Sequence, residues 1–221
     1  MIGDSPRLAV GDPTYRLIPS RFPPVPAFED VAAAADLGAV MELEGWTNDR
    51  LVQQRLARLP EAEWVYNVPN ASIVMAAFLH AAPHGLRFSA GDLGAWYAGL
   101  GLNTAIAEVA HHLRRETVNT NMRGMSVQYR TCTAMLDGRY VDVRGRMPEL
   151  CDAVDHGASQ AFGEAVRGTA DLAGIVYDSV RHAGGVNVVC FRPRAVRHVA
   201  QVAHLEIDVR PRGKVAVRRL P

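Results

Sequence analysis

Asp178, Ser179 and His182 carry the three side-chain types of a hydrolytic triad, and they lie within five residues of one another. A working triad takes its members from separate elements that converge in space, so this segment does not predict a hydrolase. The sequence also lacks the patterns GxxxxGK[ST], GxGxxG after a strand, HExxH and GxSxG. Their absence argues against several common classes of nucleotide-binding, zinc-dependent and hydrolytic enzymes.

A second group of reactive side chains lies in one predicted helix, where Glu108 is followed by the neighbouring histidines His111 and His112. Adjacent helix positions point about 100° apart, so the two imidazoles are poorly placed to bind one ion, and we expect no metal site. Glu108 and His112 are four residues apart and can touch on the helix surface, which is typical of a helix-stabilising pair.

The most informative segment is RFSAGDLGAWYAGLGLNTAIAE, in which an arginine, a tyrosine and a glutamate follow one another at intervals of ten and eleven residues. It resembles the central motif of the RES-domain family, where an arginine on a strand, a tyrosine on the next strand and a glutamate in the following helix line one pocket. Those positions are Arg87, Tyr97 and Glu108. GIVYDSVRHAGGVNVVCF resembles the serine segment of the family and supplies Ser179.

The opening YRLIPSRFPP is similar to that of the RES subgroup with a helical N-terminal extension, so the resemblance extends over residues 14–193. It implies a fold like that of the ADP-ribosyltransferase toxins, NAD+ as the substrate, and a toxin of an Xre–RES toxin–antitoxin pair. The implied partner is an antitoxin that covers the pocket and carries an Xre-type DNA-binding domain. DNA contact would then be indirect, through that partner.

The three motif residues have side chains that suit cleavage of the nicotinamide–ribose bond. Arg87 offers a planar cation that binds phosphate oxygens bidentately, although a surface salt bridge would also explain it. Tyr97 can lay its ring against nicotinamide, or be a half-buried strand aromatic, with its neighbour Trp96 facing the core. Glu108 can bind a ribose hydroxyl and favour an oxocarbenium-like transition state, and the small residues around it argue against a merely solvated glutamate.

Three further residues are candidates for supporting roles. Ser179 is expected to hydrogen-bond nicotinamide or phosphate rather than to act as a nucleophile, since no obvious base lies beside it in the sequence. A serine that satisfies a turn is the alternative. Arg16 could add positive charge for the pyrophosphate or for an incoming phosphate, or anchor the proline-rich segment. Asn187 helps to shape the serine segment or stabilises the turn before it.

We therefore interpret the chain as an NAD+-consuming toxin that transfers ADP-ribose to phosphate, our first choice of acceptor, or to water. An ADP-ribosyltransferase that modifies a protein such as phosphoribosyl-pyrophosphate synthetase is the alternative. A non-enzymatic module that binds a nucleotide or a partner peptide is the second alternative. In that case the C-terminal strands, where eight basic residues from Arg192 onward outnumber two acidic ones, would contact nucleic acid.

The elements that position these residues predict an α+β fold with a mostly antiparallel sheet and flanking helices. The proline-rich first 28 residues read as extended structure, and helices are expected over residues 29–44, after Asn48 and over 71–80, the last capped by Asn70. Two short strands should flank a loop within 86–99, followed by a helix from Asn103 or Thr104. Asp137–Gly138 favours a tight hairpin turn. A helix over 159–166 and four strands complete the pattern.

The overall composition is that of a globular protein that can bury a sizeable core. Of its 221 residues, 48% are hydrophobic and 21% are charged, and the net charge of +1 argues against a polyanion as the main partner. We expect one compact domain, with an N-terminal elaboration over residues 1–84 and a catalytic core over 85–221. Three widely spaced cysteines and the lack of a signal or membrane-spanning segment predict a soluble cytoplasmic protein with no membrane contact.

Overall fold

The computed structural model describes residues 2–3, 5–22, 28–33, 36, 54–152 and 155–221. Seven strands in this part of the chain form one sheet: β1 (Arg7–Pro19), β2 (Trp96–Gly99), β3 (Met125–Asp142), β4 (Gly174–Asp178), β5 (Val186–Cys190), β6 (Val196–Val209) and β7 (Ala216–Leu220). The α-helices described over their full length are α1 (Ala71–Leu79), α2 (Leu102–Asn119) and α3 (Gly157–Arg167), and short 3-10 helices cover Glu61–Glu63, Pro148–Cys151 and Pro193–Ala195.

The strands follow the order β1-β2-β5-β4-β3-β6-β7, and β1 also pairs with β3. This extra pairing returns the sheet upon itself, so that β1, β2, β5, β4 and β3 form a closed ring. Among the described pairings only β3 and β4 run parallel, and α3 lies in the crossover between them, as parallel neighbours require. The structure thus confirms the predicted α+β class with a mostly antiparallel sheet.

Strands β2, β4 and β5 bury both of their faces, because helices cover the sheet on each side there. Successive side chains point to opposite faces. Trp96, Val176 and Val188 belong to the core that includes α1, whereas Tyr97 and Tyr177 face the core on the side of α3. The placement of Trp96 in the core, fully buried, is as expected from the sequence.

Helix α2 packs against a third core formed with the long strands β3 and β6. Its buried residues Ala110 and Leu113 contact a layer that includes Tyr129, Leu205 and Ile207. Because Ala110 and Leu113 occupy the face of α2 that is turned to this core, the neighbouring face of the helix can line a cavity.

The predicted hairpin at Asp137–Gly138 is wrong, because β3 runs without reversal through both residues. Gly138 adopts a φ of 97°, and a Cβ atom there would lie 2.8 Å from the Cβ of Ala173. The left-handed glycine thus absorbs an irregularity, while β1 continues to pair with β3 on both sides of it, from Leu136 to Tyr140. The same turn-forming composition serves a bend within a strand.

The prediction for the third N-terminal helix is confirmed by α1, but its proposed cap is wrong. Asn70 has a left-handed φ of 62° and makes no side-chain cap bond; instead its Nδ2 donates to the carbonyl of Val199 at 2.8 Å. The helices expected over 29–44 and after Asn48 lie largely outside the described residues. The division at residue 84 stays a prediction, although β1 pairs with β2 and β3 beyond it.

Cys132, Cys151 and Cys190 are free thiols, and the first and last of them are buried. Burial raises the pKa of the Cys132 and Cys190 thiols, that of Cys190 to about 11. None of the helices in the described part of the chain combines the length and apolar character needed to cross a membrane.

Candidate functional site

A cavity of about 280 Å³ lies between α2 and the strands β1, β2, β4 and β5. This volume is near the lower end of the roughly 300–1,000 Å³ that is usual for small-molecule sites. Five of the six predicted site residues line it, namely Arg16, Arg87, Tyr97, Glu108 and Asn187. The sixth, Ser179, joins the site through a hydrogen bond to Glu108.

Helix α2 supplies one wall of the cavity through a stripe of residues at helical spacing. Ala105, Glu108, His112 and Arg115 follow one another at intervals of three and four residues, and all four line the cavity. The sequence predicted that Glu108 and His112 lie next to each other on the helix surface. The connection into α2 is tight, since a Cβ atom at Gly99 would lie 2.8 Å from the Ala105 nitrogen.

The Glu108 carboxylate is held by two side-chain donors from other elements. Its Oε1 accepts the Ser179 hydroxyl at 2.6 Å and the Asn187 amide nitrogen Nδ2 at 2.7 Å. Ser179 comes directly after β4 and Asn187 lies on β5, so the sheet fixes the position of a carboxylate that the helix carries. We call Glu108, Ser179 and Asn187 the carboxylate wall.

The Ser179 hydroxyl is itself fixed by the turn that follows it. The backbone N–H groups of Arg181 and His182 each donate to Ser179 Oγ at 3.1 Å. The oxygen therefore accepts two hydrogen bonds while its proton is directed at Glu108. No obvious base lies beside Ser179 along the chain; the structure brings the Glu108 carboxylate there from a residue 71 positions away.

The group Asp178, Ser179 and His182 does not form a triad, in agreement with the sequence interpretation. Asp178 Oδ2 accepts the N–H of Gly145 at 2.7 Å, and the His182 ring nitrogen Nδ1 is 2.9 Å from Thr104 Oγ1. Asp178 and His182 thus hydrogen-bond through their side chains in different directions.

Tyr97 lines the cavity, and its hydroxyl is hydrogen-bonded within the protein. The hydroxyl oxygen accepts the Phe88 N–H at 3.0 Å and lies 3.1 Å from Ser89 Oγ. Burial raises the pKa of Tyr97 to about 12. The phenol thus stays neutral at ordinary pH, and the ring rather than the hydroxyl is available to a ligand.

Arg16 approaches the cavity from β1. Its Nη1 donates to the Tyr97 carbonyl at 3.1 Å, and its guanidinium carbon lies 5.0 Å from the ring centroid of Trp96. Burial lowers the pKa of Arg16 to about 10, which leaves it charged at neutral pH. Its buried Nε has no hydrogen-bond partner within the described residues. Arg21, in contrast, is exposed and stacks on Phe22.

Arg87 does not lie on a strand, contrary to the prediction. It belongs to a tight turn closed by a bridge between Leu86 and Ser89. Its Nη1 donates to the carbonyls of Leu150 and Asp152, at 3.0 and 2.7 Å. In the described part of the chain its Nε and Nη2 have no hydrogen-bond partner, so one edge of the guanidinium is anchored and another stays available.

The charged residues on the cavity are mostly cationic. Together with Arg16 and Arg87, Arg115 and Arg181 line it, and we call these four the cationic wall. The lining also includes His111, His112 and His156. The pKa of each of these histidines is lowered, first by burial and then by neighbouring arginines. Glu108 is the one acidic side chain among the described lining residues.

Tyr177, Arg181 and His156 were missed as site residues by sequence reasoning. Tyr177 could have been found, because it lies near the end of β4, two residues before Ser179, and side chains two residues apart in extended chain point to the same side. It is 7% exposed and packs edge-on against Phe88 at 4.8 Å between ring centroids. Within the described residues, no group of three or more metal-ligating side chains is arranged to hold an ion.

The fold is thus a closed mixed sheet with a cavity lined by one carboxylate and four arginines, a charge distribution that can attract an anionic group. The RES domain model matches residues 55–210, and the chain belongs to this family, which is associated with NAD-using enzymes. The chain is also similar to a protein of Sinorhizobium fredii (strain NBRC 101917 / NGR234) named "Uncharacterized protein y4oC". The two are 31% identical over 138 residues, which is 62% of this chain and 59% of that protein.

Proposed function

We propose that this protein cleaves the nicotinamide–ribose bond of NAD+ and transfers ADP-ribose to inorganic phosphate or water. The observation that carries the proposal is the Glu108 carboxylate, held at 2.6 and 2.7 Å by Ser179 and Asn187 in a cavity whose other charged lining residues are arginines. Membership of the RES domain family supports NAD+ as the substrate.

In the proposed reaction the bond between ribose C1′ and the nicotinamide nitrogen breaks, and its electron pair neutralises the pyridinium charge. Positive charge grows on the ribose, and the Glu108 carboxylate stabilises it. A phosphate oxygen then forms the new bond at C1′. Because Ser179 and Asn187 already fix the carboxylate, little reorganisation is needed when the charge develops.

The cationic wall has the complementary task of binding phosphate groups. Arg87 has an anchored Nη1 and an unpartnered edge, which suits bidentate binding of the pyrophosphate. Arg115 and Arg181 extend the positive charge along the cavity, where an acceptor phosphate would also bind. The Tyr97 ring provides a flat surface for nicotinamide.

The partner in this proposal is an antitoxin that covers the cavity and contacts DNA through an Xre-type domain. An enzyme that consumes NAD+ harms its own cell when unchecked, so an inhibitor that occludes the site is required. ADP-ribosylation of a protein such as phosphoribosyl-pyrophosphate synthetase would use the same bond cleavage with another acceptor.

The test is to incubate the purified protein with NAD+, with and without phosphate, and to measure nicotinamide release and the ribosyl product. Phosphate-dependent turnover identifies a phosphorylase, and phosphate-independent release identifies hydrolysis. Release that needs added cell lysate, with label transferred to a protein, identifies an ADP-ribosyltransferase. If none of these conditions releases nicotinamide, the proposal fails and a non-enzymatic binding role replaces it.

A further inference from the structure

The turn that carries Ser179 is attached to α2 at two points. The first is the bond between Ser179 Oγ and Glu108 Oε1 at 2.6 Å, which lies at the cavity. The second is the contact between Thr104 Oγ1 and His182 Nδ1 at 2.9 Å. Thr104 and Glu108 are four residues apart, so both attachments lie on the same face of α2, one turn from each other. Neither Thr104 nor His182 is among the described residues that line the cavity.

The turn connects these two attachments through its own hydrogen bonds. The backbone N–H of His182 donates to Ser179 Oγ at 3.1 Å, and the His182 carbonyl accepts the Gly185 N–H at 2.8 Å. The Gly185 carbonyl in turn accepts the Ser179 N–H at 2.9 Å. Any shift of His182 relative to α2 is therefore transmitted to the oxygen that faces Glu108.

The second attachment is closely packed. Thr104 is 3% exposed, and a Cβ atom at Gly185 would lie 2.6 Å from His182 Nδ1 and 2.7 Å from Thr104 Oγ1. The Gly185 backbone thus seals the pair from one side. The equally buried Thr117 of the same helix differs, because its Oγ1 donates to the Leu113 carbonyl within α2 at 2.8 Å and makes no link to another element among the described residues.

We propose that Thr104 and His182 are a positioning pair, which holds the Ser179 turn on α2 so that Ser179 Oγ meets Glu108 in the reactive geometry. The inference rests on the proposed function, because it assigns the pair an effect on NAD+ cleavage. Neither residue is among the described residues that line the cavity. Loss of the pair therefore lowers kcat and leaves KM for NAD+ nearly unchanged.

The activity test uses the variant Thr104→Val, which keeps the shape of the side chain and removes the hydroxyl. Since a misplacement of about 1 Å can cost about a hundredfold in rate, we expect kcat to fall about tenfold or more, with KM within about twofold of the wild type. Thr104→Ser should keep kcat close to that of the wild type, because serine retains the hydroxyl. Thr117→Val is the matched control and retains kcat. Wild-type kcat in Thr104→Val, or a Thr104→Ser variant as slow as Thr104→Val, overturns the inference.

A second measurement does not depend on activity. The amide protons of Arg181 and His182 are bonded to Ser179 Oγ, so their hydrogen exchange, followed by NMR, reports on the turn. We expect about tenfold faster exchange in Thr104→Val and in His182→Ala, and wild-type exchange in Thr117→Val. Because half-buried His182 is replaced without opening the core, His182→Ala decides the question if Thr104→Val does not fold.

The double variant Thr104→Val/His182→Ala tests whether the two residues act as a pair. Its amide exchange rates and its kcat should equal those of either single variant. Additive effects of the two substitutions would contradict a shared role. If the wild-type protein does not cleave NAD+, the proposed function fails and the exchange data still decide whether the pair holds the turn. Wild-type exchange in both single variants overturns the positioning role.

Discussion

The two walls of the cavity are built in different ways. On the carboxylate wall the polar atoms are bound to one another, since Glu108 Oε1 accepts both Ser179 and Asn187. On the cationic wall, Arg16 and Arg87 hold backbone carbonyls through Nη1, and their Nε atoms have no hydrogen-bond partner in the described part of the chain. The carboxylate wall thus makes its hydrogen bonds within itself, whereas Arg16 and Arg87 keep N–H donors that no described protein group accepts.

This difference matches what the two walls have to do in the proposed reaction. Stabilising charge at one ribose carbon requires a carboxylate that is fixed before the substrate arrives. Binding phosphate oxygens requires donors that are still unpaired when the substrate arrives. We therefore expect changes on the carboxylate wall to lower kcat, and changes on the cationic wall to raise KM.

The largest effect is expected for Glu108→Gln, which removes the negative charge and keeps the size of the side chain. Loss of a preorganised group that faces developing charge typically costs roughly a hundredfold to a thousandfold in kcat, and we expect a loss of that order in nicotinamide release. Glu116→Gln, at an exposed position of the same helix, is the control. A Glu108→Gln enzyme with wild-type turnover would remove the carboxylate wall from the chemistry.

The cationic wall is tested by Arg87→Ala. A hydrogen bond to a charged group contributes about 1.5–3 kcal/mol, so we expect KM for NAD+ to rise roughly tenfold to a hundredfold, with a smaller effect on kcat. Arg58→Ala, which breaks an exposed ion pair with Asp92 away from the cavity, should leave KM unchanged. A loss confined to kcat would mean that Arg87 acts in the chemical step rather than in binding NAD+.

Some features of the site could be predicted from the sequence, namely those that depend on the regular geometry of one helix or strand. Helical spacing predicted that Glu108 and His112 share a face of α2, and alternation along β2 predicted that Trp96 and Tyr97 face opposite sides. These are local geometric rules, and they hold because α2 and β2 are regular.

The errors have a common cause, which is that long-range contacts decide between local options. Gly138 has the composition of a hairpin turn, yet pairing of β1 along β3 keeps the strand running through it. Ser179 has no base nearby in sequence, and its partner Glu108 arrives from another element. Arg87 is placed by carbonyls of residues 150 and 152, which no local pattern around the arginine contains.

Tyr97 separates the contribution of its ring from that of its hydroxyl. Tyr97→Phe keeps the ring at the cavity but leaves the Phe88 N–H without its acceptor, which should cost about 1–3 kcal/mol of unfolding free energy. Chemical denaturation measures this loss, and KM should change little. Tyr66→Phe is the control, since that hydroxyl has no hydrogen-bond partner within the described residues. Unchanged stability with a raised KM would show instead that the hydroxyl serves the ligand.

The smallest effect concerns pH, and it has opposite signs in the free and the ligand-bound protein. Burial, followed by the nearby arginines, lowers the pKa of His111, His112 and His156 below the ordinary value of about 6.5. The unfolded chain therefore binds protons more tightly than the folded one. The stability that these histidines contribute is complete above about pH 6.5 and is lost as the pH falls through their folded values.

A phosphate-bearing ligand in the cavity would reverse this trend, because its negative charge raises the pKa of the same histidines. Binding then takes up protons, so the affinity for ADP-ribose should rise a few-fold between about pH 7.5 and 5.5, while the free protein loses stability over the lower part of that window. Calorimetric titration and thermal unfolding measure the two slopes. The double variant His111→Gln/His112→Gln should flatten both. If the affinity for ADP-ribose instead decreases as the pH is lowered, as the stability does, the histidines do not face the anion.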